Sequence, residues 1–223
     1  MQESFSWYVI LPERKPGFGA GHAKASLAMC AGEAGTEYIS VPVFVARTLG
    51  KAKKTGEADP HDRATLLRLV EETSTRCAQQ RVVKLLERRD YSAKEVYEKL
   101  VQDGFRASLA QQAVRDAKTK KIINDMRYAE SFVRSKVSAG WGMRRITHEL
   151  DRRGVNVREL EGWPYDYLDP EDEYGRAMEV ASRKRVSEPN AYAKLVRFLA
   201  HRGFSYDVAS RAAKATLDGR ECS

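Results

Sequence analysis

Cysteine and histidine are scarce in this sequence. Its three cysteines, Cys30, Cys77 and Cys222, stand far apart, and an odd, scattered set makes neither a disulfide framework nor a four-ligand zinc site. The four histidines, His22, His61, His148 and His201, show no HxH or HExxH spacing, so no structural metal is expected. Long apolar runs are missing too. Charge-free stretches such as Tyr38 to Ala46 fall well short of the roughly 20 apolar residues that span a bilayer, so no membrane contact is expected. The N-terminus, Met1-Gln2-Glu3-Ser4, lacks the basic region and apolar stretch of a secretory signal. Hydrolytic chemistry finds little support: no G-x-S-x-G elbow occurs, and no local pattern sets a histidine beside Cys77. The carboxylate pairs Glu71/Glu72 and Asp172/Glu173 lie on polar stretches where solvation accounts for them. The sequence reads as a cytoplasmic, reducing-compartment protein that is no enzyme and uses no cofactor.

What is present is ample material for a core and an uneven charge. Of the 223 residues, 42% are apolar and 31% charged, which excludes a wholly disordered chain. Residues 1–75 hold 9 basic and 9 acidic side chains; residues 76–223 hold 30 and 22, so the whole excess of +8 lies in the last two thirds. Seven acids and no base fall in 159–173, whereas 126–158 carries eight bases against three acids. Two basic blocks thus flank an acidic connector. A basic surface of this kind fits a polyanion or an acidic protein partner, or is a solvated helical face.

The strongest feature is self-similarity. Val96-x3-Leu100-x3-Gly104-Phe105, Ile146-x3-Leu150-x3-Gly154-Val155 and Leu195-x3-Leu199-x3-Gly203-Phe204 share one pattern, with the glycines 50 and 49 residues apart. Each sets two apolar residues one helical turn apart and then ends the helix with glycine, which tolerates the left-handed conformation just past a helix end. Helical spacing fills in the rest. In the first unit Ala78, Val82, Leu85 and Leu86 line a face, Ser92 and Glu95 form a capping box, and Leu109, Ala113 and Ala117 mark a third helix. In the second, Asp125 is placed to cap a helix with Ala129, Phe132, Val133 and Val137 on its face; Gly140 and Gly142 bracket the next turn, and a short third helix near Asn156 to Trp163 stops at Pro164. In the third, Tyr174, Ala177, Met178 and Ala181 form a face, Pro189-Asn190 opens the middle helix, and Ser205 caps the last. The expected fold is therefore mainly α: an elongated tandem array of three three-helix repeats, since units of about 50 residues need neighbours to stack on. A small β-containing region precedes them.

That region holds two expected strands, Tyr8 to Leu11 and Tyr38 to Val45, with Pro42 marking an edge or a break. Between them lies Pro16-Gly-Phe-Gly-Ala-Gly21, which meets neither the dinucleotide nor the P-loop spacing and reads as a turn between strands. Lys51 to Pro60 reads as a linker, and His61 to Thr73 as a leading helix with Leu66, Leu69 and Val70 on one face. The expected organisation is 1–60 as strand-rich region and linker, 61–123 as leading helix plus repeat 1, 124–170 as repeat 2 and 171–223 as repeat 3.

Basic clusters fall at defined places on the repeats. Arg127, Tyr128, Arg134 and Lys136 share the first helix of repeat 2; Arg144 and Arg145 open its second helix, and Arg152 and Arg153 end it. Arg183-Lys184-Arg185 close the first helix of repeat 3. Cations at helix C-termini also favour the helix dipole, so some of these need no ligand. Arg127, Arg144 and Arg145 sit at helix starts, where the dipole disfavours them, and there a partner contact gains ground. Tyr128 and Phe132, four residues apart, read as core rather than as a stacking platform.

The run Ile123-Asn-Asp-Met-Arg-Tyr-Ala129, with Phe132-Val-Arg134, Gly140-x-Gly142, Arg145-Ile146, Glu149-Leu150 and Gly154-Val155, resembles the signature of the RecX family of bacterial regulatory proteins. Leu85-Leu-Glu-Arg-Arg-Asp-Tyr-Ser92 with Glu95 and Leu100 resembles the family's first repeat, and Arg197-Phe-Leu-x-x-Arg-Gly-Phe-Ser205 with Asp207-Val208 its last. The likeness covers roughly 75–217 and extends weakly to 41–72; residues 1–40, and Met126 and Trp141, depart from it. The resemblance implies tandem three-helix repeats that bind the recombinase RecA along its filament on single-stranded DNA. It also implies restraint of filament growth, ATP hydrolysis, strand exchange and the co-protease activity that triggers the SOS response. On this likeness the candidates for a surface facing RecA or DNA are Arg127, Tyr128, Arg134, Lys136, Arg144, Arg145, Arg152, Arg153, Arg183, Lys184 and Arg185, in a protein expected to be monomeric. Two other functions stay open on the residues themselves. One is a helix-turn-helix-like regulator acting directly on duplex DNA; the other is a nucleotide-dependent enzyme using the Gly17–Gly21 loop.

Overall fold

In the computed structural model the described residues are 5–12, 24–31, 35–169, 172–187 and 189–221. Two compact units divide the chain, Met1–Ile123 and Asn124–Ser223. The Gly17–Gly21 loop lies outside the described residues.

The first unit begins with an antiparallel meander of β1 (Phe5–Ile10), β2 (Lys24–Ala31) and β3 (Thr36–Pro42) in that spatial order. Trp7 pairs with Met29 and Leu27 with Ile39. Alternation sends Trp7, Leu27, Met29 and Val41 into the core and leaves Tyr8, Ile10 and Tyr38 on the outer face. Pro42 ends β3, an edge strand, a position where proline is tolerated. The chain turns at once into α1 (Val43–Lys54), which buries Val45, Ala46 and Leu49 against the sheet. Lys53 near its end donates to the Trp7 carbonyl and places its ammonium 4.8 Å from the Trp7 ring.

Helix α2 (Arg63–Leu86) starts at Asp62, whose side chain accepts from Thr65 N at 2.8 Å. It runs for 24 residues and buries Leu66, Val70, Thr73, Cys77, Ala78, Val82 and Leu85. Helices α3 (Ala93–Gln102) and α4 (Ala107–Thr119) complete repeat 1. The capping box at Ser92 is formed in full, with Ser92 Oγ accepting from Glu95 N and the Glu95 carboxylate accepting from Ser92 N. A partly buried ion pair, Arg81 to Asp103 at 2.6 Å, ties α2 to the end of α3. Sheet, α1 and repeat 1 share one apolar core.

In the second unit, repeat 2 consists of α5 (Asp125–Ser138), α6 (Met143–Arg152) and a 3-10 turn (Val157–Glu159); repeat 3 consists of α7 (Glu173–Ser182), α8 (Ala191–Arg202) and α9 (Tyr206–Glu221). Each repeat has its own core: Ala129, Val133, Ile146 and Leu150 in one, Ala177, Ala181, Leu195 and Leu199 in the other. The three repeating glycines are all left-handed, with φ of 92°, 72° and 95° at Gly104, Gly154 and Gly203. Their helix ends are the same Schellman motif. Phe105, Val155 and Phe204 N–H reach back to the carbonyls of Leu100, Leu150 and Leu199 at 3.1, 3.0 and 3.2 Å. All six of those apolar side chains are buried, so each motif closes on a hydrophobic contact.

Repeats 2 and 3 meet at a glycine contact. Gly142 N–H donates to Arg202 O at 2.8 Å. A side chain on Gly142 would meet the Gly203 backbone, and one on Gly203 would meet Arg145. Two arginines cross the contact in opposite directions: Arg145 donates to His201 O at 3.0 Å, and Arg202 to Ala139 O. Each satisfies a carbonyl exposed at the C-terminal end of a helix.

Several expectations change. The strand expected over 38–45 stops at Pro42, because the apolar run 43–49 is spaced for a helix face, and the helix it forms takes up part of the linker expected over 51–60. A third strand, β2, lies between the two that were expected. The leading helix and the first helix of repeat 1 are one continuous helix, since nothing between Thr73 and Ala78 breaks it. Asn124, not Asp125, caps α5, accepting from Met126 N and Arg127 N at 3.0 Å each; Asp125 is the first helical residue. The third helix expected in repeat 2 is a single 3-10 turn with Asn156 as its cap.

Candidate nucleic-acid or filament interface

The basic residues of the second unit divide by whether the fold already uses them. Four of them build a ladder of cations and rings on repeat 2. The Arg153 guanidinium lies 4.9 Å from the Phe132 ring and is ion-paired with Glu149. Lys136 lies 5.3 Å from Phe132 and 5.2 Å from Trp141, whose rings meet edge to face at 6.2 Å. Arg145 stacks on Trp141 at 3.7 Å. Arg134 pairs with Glu130 at 3.1 Å and lies 5.1 Å from the Tyr167 ring. These contacts account for the positions of the side chains without a partner. The cluster also acts on Glu149: the Arg153 hydrogen bond, with the charges of Arg153, Arg152 and Arg145, holds its carboxyl below the usual glutamate value against a smaller effect of burial.

Tyr128 was expected on a partner-facing surface and is not there. It is 6% exposed, in the core of repeat 2, stacked on Phe132 at 6.1 Å. Its position four residues before Phe132 and beside Ala129 on α5 puts it on the buried stripe.

The remaining cations face outward. Arg127 is exposed in the first turn of α5. Arg144, His148 and Arg152 are exposed on successive turns of α6 and form one wall of a groove of about 950 Å3. Arg158, from the 3-10 turn, and Trp163 with Pro164 line the groove as well, together with Met143, Thr147 and Asp151. Trp163 is half-buried and packs against Tyr167 at 6.3 Å. Arg144 and Arg158 make no ion pair or side-chain hydrogen bond among the described residues, and Arg152 is ion-paired with Glu149 at 4.0 Å. Arg144 stands in the first turn of a helix whose N-cap, Gly142, offers no side-chain oxygen, so the dipole opposes its charge.

A second groove, of about 650 Å3, lies at the contact of repeats 2 and 3. Arg176, Arg183, Lys184 and Arg202 line it together with Trp141 and Phe198. Arg183 pairs with Glu179, and Lys184 and Arg202 lie 5.3 and 5.1 Å from the Phe198 ring. Burial pulls the Arg176 guanidinium below its usual value, while Glu173, Asp172 and Asp169 work in the opposite sense. Arg185 is exposed beyond α7. Arg158, Trp163, His148, Arg176 and Arg202 were not among the residues singled out from sequence. The i, i+4, i+8 spacing of Arg144, His148 and Arg152 was the legible signal for the first groove; Arg158 and Trp163 join it through a turn that spacing does not specify. Among the described residues no three His, Cys, Asp or Glu side chains gather to hold a metal ion, and no helix is long and apolar enough to cross a membrane.

Comparison with known proteins places the repeats in a family context. Three family models match in succession: the first three-helix domain of RecX over residues 78–115, the second over 124–157 and the third over 171–212. The regulatory protein RecX of Vibrio parahaemolyticus serotype O3:K6 is 32% identical over 142 residues, which are 62% of this chain and 90% of that protein. The RecX of Pseudomonas entomophila is 33% identical over 142 residues, 61% of this chain and 87% of that one. A crystal structure of RecX from Lactobacillus salivarius aligns with a TM-score of 0.50 at 21% identity, over 64% of this chain and 96% of that one. A second crystal structure of a regulatory protein RecX aligns with a TM-score of 0.55 at 16% identity, over 97% of this chain and 99% of that one. Both structural likenesses speak to the fold.

Proposed function

Because the chain belongs to the RecX family of regulatory proteins, we propose that it binds the recombinase RecA and its filament on single-stranded DNA and restrains recombinase, ATPase and co-protease activity. On this reading it acts in the cytoplasm as a monomer and regulates DNA repair and the SOS response. The observation that supports the reading most directly is the groove on repeat 2. Arg144 and Arg158 project there with no internal ion pair among the described residues, on the repeat matched by the second RecX domain. Each repeat adds a modest contact, and linked contacts gain through effective concentration. Electrostatic contacts of this kind weaken with salt.

The test is the single-strand-dependent ATPase of RecA from the same organism with this protein added substoichiometrically. A fall in rate, lost in Arg144→Glu combined with Arg158→Glu, supports the reading. An unchanged rate with folded protein refutes it. Direct, sequence-preferring binding to duplex DNA would then favour the helix-turn-helix alternative, although repeat 2 offers only a 3-10 turn in the place of a third helix.

A further inference from the structure

We propose that the groove on repeat 2 is itself a subsite for single-stranded nucleic acid, with Trp163 stacking a base while Arg144, Arg152 and Arg158 hold phosphates. The proposal goes beyond the regulator reading and does not need it, because it concerns binding with no recombinase present.

Two unlike sets of lining residues carry the argument. Arg144, His148 and Arg152 stand on successive turns of α6, so their Cα atoms follow one another at about 6 Å along the helix axis. Arg158 adds a third guanidinium. The rest of the lining used by the argument is apolar: Trp163, Pro164 and Met143. A ligand that satisfies both sets has anionic groups in a row and planar apolar rings. A single nucleic-acid strand has that form, and stacking plus a basic track is how such strands are held without sequence preference. A duplex buries its base faces and leaves Trp163 unused. An acidic peptide would satisfy the arginines and gain nothing from the tryptophan. The groove volume of about 950 Å3 is at the upper end of the range that encloses small molecules, roughly 300–1,000 Å3, enough for a short stretch of strand. Asp151 also lines it, so three guanidinia face one carboxylate and the wall stays net positive.

The contrast with the neighbouring ladder sharpens the assignment. Trp141 is covered by Arg145 at 3.7 Å and flanked by Lys136, so its cations and ring satisfy each other. No guanidinium or ammonium lies over the Trp163 ring among the described residues; its ring neighbour is Tyr167. The same two chemical types are thus stacked on each other at Trp141, and line one groove without such a stack at Trp163.

The experiment is anisotropy of a fluorescent oligothymidine and of an abasic strand of the same length, titrated with the full chain at low and moderate salt. Oligothymidine should bind at least about tenfold tighter than the abasic strand, because only it stacks. Trp163→Ala should remove that difference and leave abasic binding unchanged, and Trp163→Phe should keep it. Arg144→Glu with Arg158→Glu should weaken both strands and flatten the salt dependence. Circular dichroism checks each variant; if Trp163→Ala unfolds, Trp163→Leu, which fills the space without a ring to stack, should remove the difference in its place. Equal binding of the two strands by the unmodified chain overturns the proposal. So does binding insensitive to the double arginine reversal, or binding of a poly-glutamate peptide with no binding of either strand. A RecA ATPase that stays unchanged while oligothymidine binding follows this pattern would defeat the regulator reading alone.

Discussion

Placing a side chain on Gly142 should break the union of repeats 2 and 3. Gly142 is the N-cap of α6 with φ of −81° and ψ of 161°, an ordinary extended conformation, so a substitution there meets no backbone strain. Steric clash remains. A Cβ at this position would contact Gly203 O and lie 2.5 Å from Gly203 C and 2.7 Å from Phe204 N. All three are backbone atoms with no rotamer to change. Relief to the 3.5–4.0 Å of a normal contact requires the two repeats to part by about 1 Å. That movement breaks the 2.8 Å bond from Gly142 N to Arg202 O, worth about 1 kcal/mol, and adds overpacking of about 1–3 kcal/mol. The total of about 2–4 kcal/mol, spread over a unit of this size, lowers Tm by roughly 10 °C or more. Gly142→Ser is the decisive variant, measured by scanning calorimetry on the full chain. Serine at an unobstructed N-cap stabilises a helix, so propensity and sterics predict opposite signs. A Tm equal to or above that of the unmodified chain would refute the contact.

Arg144 and Arg145 are neighbours with separable roles. Arg145→Glu removes the stack on Trp141 and the bond to His201 O and should cost about 2–3 kcal/mol in urea unfolding, whereas Arg144→Glu should stay within about 0.5 kcal/mol. Leu150→Ala, at a fully buried position, should cost about 2–5 kcal/mol in the same assay. Gly50→Ala lies inside α1, where a new methyl would meet only Val9 at 3.8 Å, and should raise stability by about 0.5–1 kcal/mol. Glu149, whose carboxyl titrates below its unfolded value of 4.5, contributes stability that is complete above that value and lost as pH falls through the lower folded value. Urea midpoints compared with those of Glu149→Gln should therefore converge on the acid side of about pH 4.

The repeats were legible because each is written twice over, once in apolar residues four apart and once in a glycine that ends the helix. Gly104, Gly154 and Gly203 carried both the period and the Schellman geometry. The capping box at Ser92 was legible for the same reason: two residues at a fixed offset specify two hydrogen bonds. The N-terminal part was harder. Val43 to Val45 is β-branched and aromatic, and local preference reads it as strand; burial of Val45, Ala46 and Leu49 against the sheet makes it helix. The strand β2 has three alanines and no β-branched residue, and its pairing comes from neighbours on both sides rather than from its own composition. At the site, charge and helix position singled out Arg144 and Arg152, but they grouped Arg145 and Arg153 with them. Sequence cannot tell an arginine that stacks on Trp141 or Phe132 from one that faces a groove, since that depends on which rings the turns bring near.

The 24-residue helix α2 sets the order in which the first unit can be completed during synthesis. Leu66, Val70, Val82 and Leu85 all belong to one continuous core with residues of the sheet, α1, α3 and α4. A nascent chain that has emerged only as far as residue 86 lacks Val96, Leu100, Ala110 and Val114 of that core. The core is completed only when residues 93–119 follow. A fragment starting at residue 61 would have the reverse fault, leaving Leu66 and Val70 without the sheet. Dissection of this protein into separately expressed pieces should therefore cut at 123/124, where the compact units divide, and not at the start of α2.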